Sequence, residues 1–247
     1  MAQTVFNRYE KKYLMDIHTW EKLMRELEPY MRQDEYGVYT ICNIYYDTPD
    51  NLLIRRSIEK PAYKEKLRLR SYGVPGLDDS VFLEIKKKYN KVVNKRRISI
   101  PLLDAYRWLD EGIAPREDSQ IHREIAFFLS RYDLHRGLYL AYDRTALAGI
   151  EDPDFRVTFD RNIRSRRTDM GLERGDCGQL LLPREQILME SKIMGAAPLW
   201  FSHILSGLKI FPVSFSKYGS IYKRELLTGR GDNIQITNDI ERSLEIC

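Results

Sequence analysis

Polar and apolar residues alternate from Lys64 to Tyr72 and again from Phe82 to Lys88. Period two sends successive side chains to opposite faces of a strand, so both runs read as strands. In the first, Lys64, Lys66, Arg68 and Arg70 share one face, and Leu67 and Leu69 share the other. In the second, Glu84, Lys86 and Lys88 oppose Leu83 and Ile85. Lys95-Arg96-Arg97-Ile98-Ser99-Ile100 continues the pattern less cleanly. The Gly/Pro/Asp loop from Gly73 to Asp79 makes the first two strands a hairpin with a long turn. A polar strand face normally meets water. Here one polar face is wholly cationic, and unrelieved like charge costs stability. A bound polyanion such as phosphate would offset that cost.

The same alternation recurs along the chain. Val5 to Leu14 reads as a strand with Arg8, Glu10 and Lys12 on one face. Asp16 then caps a helix from Ile17 to about Glu28, with Trp20, Leu23, Met24 and Leu27 at helical spacing. Tyr39 to Tyr46 is β-branched and aromatic and ends in the turn Asp47-Thr48-Pro49-Asp50, where Asp50 is expected to cap a short helical turn. Helices are expected over Pro101–Leu109, Ser119–Tyr132 and Pro198–Leu208. Further strands are expected over Leu138–Leu147, Phe155–Arg161 and Gln186–Ile193, the first two joined by Asp152-Pro153-Asp154. Ser165 to Asp176 reads as a loop, with Arg161, Arg164, Arg166 and Arg167 on a solvated stretch or beside the charged face. Asn238 to Cys247 reads as a short terminal helix.

Many charge-bearing strands with a few packing helices imply an α+β antiparallel barrel with helices outside. Apolar strand faces then meet the helices, and charged faces point inward. Charges survive inside when paired, hydrated or bound to a ligand, so a water-filled, ligand-holding tunnel is expected. With no linker or repeat in 247 residues, one domain is expected over 1–247, with a core of about 5–227 and a tail over 228–247.

Composition changes this picture little. The net charge of +4 is modest, so the position of the charge matters more than its total, and composition does not mark a nucleic-acid binder. Three scattered cysteines and four unclustered histidines support neither a disulfide framework nor a zinc site. With no signal peptide and no apolar run near the roughly 20 residues of a membrane helix, a cytoplasmic protein is expected.

The inward faces sort by chemistry. Arg8, Lys12, Lys66, Arg68, Arg70, Lys86, Lys95, Arg97, Arg144, Arg156 and Lys217 are cationic. Guanidinium forks suit phosphate oxygens, and ammonium groups act as point charges. Glu10, Glu84, Asp160 and Glu190 are carboxylates that could hold Mg²⁺ or Mn²⁺ bridging to phosphate. Together they would supply most of what phosphoryl transfer requires. Taken singly, each cation reads as a solvated residue or an ion-pair partner before it reads as a ligand.

Lys66-Leu67-Arg68-Leu69-Arg70-Ser71-Tyr72, Phe82-Leu83-Glu84-Ile85-Lys86, Asp143-Arg144-Thr145-Ala146 and Ser214-Phe215-Ser216-Lys217-Tyr218 occur in this order. The set resembles the VTC domain, the polyphosphate polymerase domain of the CYTH-like triphosphate tunnel metalloenzymes, in its free-standing bacterial form. The resemblance spans about Phe6 to Tyr222. It implies a triphosphate tunnel fold that moves the terminal phosphate of ATP to a growing polyphosphate chain, with Mn²⁺ or Mg²⁺ as cofactor. It carries Lys12, Arg68, Arg70, Lys86, Lys95, Arg144 and Arg156 onto the tunnel wall, Lys217 onto the phosphates and Glu190 onto the metal. Glu10 and Glu84 are weaker metal candidates, and Lys64 and Lys88 fall to rim or solvent positions. Arg8 replaces the first acid of the wider superfamily's Glu-x-Glu-x-Lys, which weakens a plain triphosphatase or cyclase reading. The partners implied are ATP and polyphosphate, not nucleic acid. Lacking the sensor domain and membrane helices of the eukaryotic proteins, the chain leaves room for a separately encoded membrane partner. A tunnel triphosphatase or a non-catalytic binding module is the alternative.

Overall fold

The computed structural model describes residues 8–90, 92–229 and 245–246. They form two compact units, one of residues up to Tyr39 with Tyr142–Ile163 and Leu182–Ser216, the other of Thr40–Ala141, Arg164–Leu181 and residues from Lys217 onward. Strands β2 (Met31–Asp47), β6 (His135–Gly149) and β7 (Arg156–Arg166) contribute residues to both. The β1 unit adds β1 (Arg8–Asp16), α1 (Ile17–Leu27), β9 (Gln186–Met194), α5 (Leu199–Gly207) and β10 (Pro212–Val213). The meander unit adds α2 (Leu52–Ile58), β3 (Tyr63–Tyr72), β4 (Ser80–Tyr89), β5 (Val92–Pro101), α3 (Leu102–Glu111), α4 (Gln120–Arg131), β8 (Gly178–Leu180), α6 (Lys217–Gly229) and β11 (Glu245–Ile246). The main strand order is β10-β1-β9-β7-β6-β2-β3-β4-β5.

Strand parity decides what each unit buries. In the β1 unit, Tyr13, Met15, Val157, Phe159, Ile187, Met189 and Ile193 pack with Leu23 and Leu27 of α1 and Phe201 and Leu205 of α5. In the meander unit, Leu67, Leu69, Leu83, Ile85, Ile98 and Ile100 pack with Ala105, Trp108 and Leu109 of α3 and Ile125 and Phe128 of α4. Burying a large aliphatic or aromatic side chain contributes roughly 1.5–3 kcal/mol. Residues of the other parity carry most of the charge in β3 and β4.

The helix starts follow local chemistry. Asp16 accepts from the Thr19 amide at 2.8 Å and caps α1. Ser119 caps α4 in a reciprocal arrangement with His122, and Pro101 precedes α3. The cap expected from Asp50 is supplied instead by Asp47 and Thr48. Asp47 Oδ1 accepts from the amides of Thr48 and Leu53 at 2.9 and 2.8 Å, and Oδ2 accepts from Ile54 at 3.0 Å. Asp50 bonds the Thr48 hydroxyl and Arg55. It is exposed, and Asp47 is fully buried below the helix start.

Other expectations need correcting. β2 begins at Met31, well before Tyr39. β7 continues to Arg166, so the expected loop begins later. Arg164, buried, bonds the Asp176 carbonyl and carboxylate, and Arg166 donates to the carbonyls of Asp169, Gly171, Gly175 and Cys177, so neither is a solvated arginine. Cys42 is free and buried, and Cys177 is disulfide-bonded. The expected C-terminal helix lies outside the described residues except for Glu245–Ile246, which pair with β8 as a strand. Among the described residues no helix is long and apolar enough to cross a membrane.

Asp47→Ala removes the acceptor of three buried amides. Equilibrium denaturation is expected to show a loss on the order of 2–4 kcal/mol, against about 1 kcal/mol for Asp16→Ala at its exposed cap.

Candidate functional site

In the meander unit, register converts strand parity into rungs of charge. Lys66 stands opposite Lys86, and Lys86 opposite Lys95. Arg68 stands opposite Glu84, and Glu84 opposite Arg97. Tyr45 and Asn43 of β2 face Arg68 and Arg70 across the next pairing. Glu84 is buried, with Oε2 accepting from Arg68 Nε at 2.6 Å and Oε1 lying 2.6 Å from Lys95 Nζ. Burial alone would raise its pKa, but Arg68, then Arg70 and Lys95, hold it down to about 2. One carboxylate cannot balance all these cations. Burial lowers the Lys95 pKa; Glu84 pulls it back up, yet Arg68 and Arg70 push against that and it settles at about 8. Burial would raise the Tyr45 phenol, but Arg68, Lys66 and Arg70 bring it down to about 8. Both shifts record one excess of positive potential.

Neutral neighbours fix the cations. Arg70, buried, donates from Nε to Asn43 Oδ1 at 2.9 Å, and Asn43 Nδ2 donates to the Leu140 carbonyl at 3.0 Å. The Arg97 guanidinium lies over the Phe82 ring at 4.4 Å. Lys217 is buried as the first residue of α6. Its neighbour Tyr218 donates to Asp47 Oδ2 at 3.0 Å, so Asp47 anchors the starts of both α2 and α6. Gly137 leaves room for this bond: a Cβ there would lie 3.1 Å from Asp47 Cβ and 3.2 Å from the Tyr218 hydroxyl. Arg167 holds α6 further along through two bonds to Glu225, at 2.9 and 2.6 Å.

The β1 unit carries a different, nearly balanced cluster. Lys12 stands opposite Glu190, and Glu190 opposite Thr158. Glu10 stands opposite Lys192, and Lys192 opposite Arg156. Lys12 Nζ lies 3.1 Å from Glu190 and 3.6 Å from Glu10, so two carboxylates converge on one cation. Arg144 forks onto Asp160 at 2.6 and 2.7 Å and lies 3.8 Å from Glu190. Burial, followed by Arg144, lowers the Lys192 pKa. Thr158 Oγ1 is buried with no hydrogen-bond partner among the described residues.

The family model of the VTC domain matches residues 7–225. The chain belongs to the VTC domain family. Vacuolar transporter chaperone complex subunit 4 of Trypanosoma brucei brucei is 26% identical over 217 residues, covering 70% of this chain and 27% of that protein. The chain thus spans about a quarter of the length of that relative. A Bacillus halodurans structure provisionally assigned as an adenylate cyclase superposes with a TM-score of 0.55 at 17% identity, covering 87% of this chain and 96% of that one. A Hippeastrum protein, provisionally named an adenylyl cyclase and described as having a dominant triphosphatase activity, superposes at 0.54 and 16% identity, covering 87% and 94%. These likenesses show the fold, the α+β triphosphate tunnel fold expected from the sequence.

Within the VTC domain, Lys66, Arg68, Arg70, Lys86, Lys95 and Arg97 share one sheet face of the meander unit, with Glu84 among them. Lys12, Glu10, Glu190 and Arg144 come together in the β1 unit. Arg156 is exposed at the start of β7, and Arg8 opens β1 opposite Met194. A cleft of about 680 Å³ lined by Trp108, Leu129 and Tyr132 of the α3–α4 region holds none of the expected site residues. Asn43, Tyr45, Thr158 and Lys192 join the charged faces beside the residues expected there. The signal for Thr158 and Lys192 was their shared parity with Asp160 and Glu190.

The folded pKa of Glu84, about 2, lies below its ordinary 4.5. A depressed carboxylate stabilises the fold above its unfolded pKa and loses that contribution as pH falls through the folded value. Thermal melts should therefore show stability falling between about pH 4.5 and 2, with Glu84→Gln flattening that fall.

Proposed function

We propose that this VTC domain is a metal-dependent polyphosphate polymerase that transfers the terminal phosphate of ATP to a growing polyphosphate chain. The observation that carries the proposal is the cationic excess around Glu84, a pairing that leaves Lys95 and Tyr45 depressed. An anion docking there relieves repulsion among the surplus cations. Arg68, Arg70, Lys86 and Lys217 act as the phosphate clamp, joined by Lys66, Lys95 and Arg97; in the β1 unit Lys12, Arg144 and Arg156 take the same role. In transfer, a terminal oxygen of the chain bonds to the γ-phosphorus as the bond to the β-phosphate oxygen of ADP breaks. These cations offset charge on the oxygens in flight.

The β1 unit fits a divalent cation. Glu190, Glu10 and the unpartnered Thr158 hydroxyl offer an all-oxygen donor set, which suits Mg²⁺ or Mn²⁺. Lys12 holds the two carboxylates together in this structure. Among the described residues no three acidic, histidine or cysteine side chains cluster, so substrate phosphates and water would complete the coordination of such an ion. Such an ion would neutralise phosphoryl charge. Glu84, enclosed by Arg68 and Lys95, serves the clamp better than a metal.

Hydrolysis of triphosphate is the second reading, supported by the triphosphatase activity described for the Hippeastrum protein of the same fold. Incubation with ATP and Mn²⁺ followed by gel separation decides between them. Long chains support the polymerase, free phosphate alone supports the hydrolase, and binding without turnover leaves a binding module. Lys217→Ala and Arg70→Ala are each expected to cut synthesis by about 100-fold or more with the fold intact; full activity in either would remove that residue from the site. Raising pH through about 8 deprotonates Lys95 and ionises Tyr45. Both changes reduce positive charge, so calorimetric affinity for tripolyphosphate should weaken across that range.

A further inference from the structure

Arg156, Thr158, Asp160, Asn162, Arg164 and Arg166 of β7 share one parity. In an unbroken strand they would line one face. They do not. Asp160 takes the fork of Arg144 on β6, whereas Arg166 lies over the ring of Tyr139, 3.5 Å from its centroid. Tyr139 and Arg144 have opposite parity in β6, so β7 changes face between Asp160 and Arg166. The pairing changes over the same span: Asp160 pairs with β9, and Arg164 pairs with β8. Between them Asn162 has a φ of +48°, left-handed backbone inside a strand. That conformation marks a β-bulge, in which one extra residue re-aims the side chains beyond it.

The bulge sorts the charges of β7. Arg164 and Arg166 turn to the Asp176 carboxylate and to the carbonyls that follow β7. Asp160 stays with Arg144, whose guanidinium also lies 3.8 Å from Glu190. A one-residue slip would send these side chains to the wrong faces and leave Arg144, buried, without its fork. A side chain holds the bulge in place. Asn162 Nδ2 donates to Asp143 Oδ2 at 2.8 Å. Asparagine enters the left-handed region more readily than most residues, and here its amide is also the donor. Asp143 precedes Arg144 and has the opposite parity. Two adjacent residues of β6 thus fix β7, Asp143 at the bulge and Arg144 at the fork.

We propose that Asp143 is a positioning residue for phosphate binding: by holding Asn162 in the bulge it keeps Asp160 on Arg144, and so aims Arg144 at the charged face beside Glu190. The inference rests on the phosphate reading of Arg144 above. Asp143 does not touch the phosphate. Its own charge repels an anion, so its contribution to anion affinity runs through geometry and against its charge.

The test measures calorimetric affinity for tripolyphosphate, KM and kcat for ATP, and melting temperature. Asp143→Ala removes a negative charge, which by field alone would tighten anion binding. Positioning predicts the reverse: affinity about tenfold weaker, KM raised to match, and kcat changed by less than about threefold. Asn162→Gly keeps access to positive φ and the net charge but loses the bond, and is expected to weaken affinity by about threefold or more. Exchanging the pair, Asp143→Asn with Asn162→Asp, rebuilds the bond with donor and acceptor reversed and should return affinity to within about twofold of wild type. In an Arg144→Lys background, Asp143→Ala should cost less than about twofold. A purely structural bond would lower the melting temperature of the single variants with affinity unchanged well below the melt; that overturns the proposal. So does tighter binding by Asp143→Ala, a folded exchange variant no better than the single ones, or an undiminished loss in the Arg144→Lys background. If Asp143→Ala does not fold, the affinity of Asn162→Gly decides. Wild type that binds tripolyphosphate no better than its variants overturns this inference alone; wild type that binds no phosphate removes the phosphate reading with it.

Discussion

Glu84 sits where it is hardest to keep a charge, buried in a sheet face that is otherwise cationic. Without it, Arg68, Arg97 and Lys95 would meet across β3, β4 and β5 with nothing between them. With it, the strands can pair, and their apolar parity can settle onto α3 and α4. The bridge is partial by construction: a single carboxylate shared among several cations leaves a surplus. That surplus is what an incoming anion can use, and it survives only because the unit tolerates some repulsion to keep it.

The β1 cluster works under the opposite constraint. Lys12 is matched to Glu190, and Arg144 to Asp160. A phosphate or a cation arriving there must exchange partners with groups already paired, at little net cost when each partner finds another. Surplus charge suits holding, and balanced charge suits rearrangement.

Much of this was legible in the sequence because strand parity is local. The charged sheet face that carries Arg68, Arg70 and Lys86 needed only alternation, and Asp16 and Ser119 announced their helices by residue type and spacing. What escaped notice depended on distance in the chain. Asp47 and Asp50 are equally good caps on paper; burial beneath α2, and Tyr218 arriving 171 residues later, choose Asp47. Arg164 and Arg166 look like a basic loop until the carbonyls of a segment several residues on are folded against them. Thr158 and Lys192 share the parity of Asp160 and Glu190, but strand register decides what they face, and Tyr45 lies in the field of three neighbours that no local pattern shows.

The β3–β4–β5 meander joins neighbours in sequence, so its contacts are local and cheap in loop entropy. Its charged face needs few contacts with distant parts of the chain to form. Any anion that binds that face shifts the balance toward the folded meander by mass action. Phosphate in a refolding buffer would then act as a folding ligand for this chain and not as an inert medium. Yields and refolding rates compared between phosphate and an uncharged buffer would carry information about the site itself.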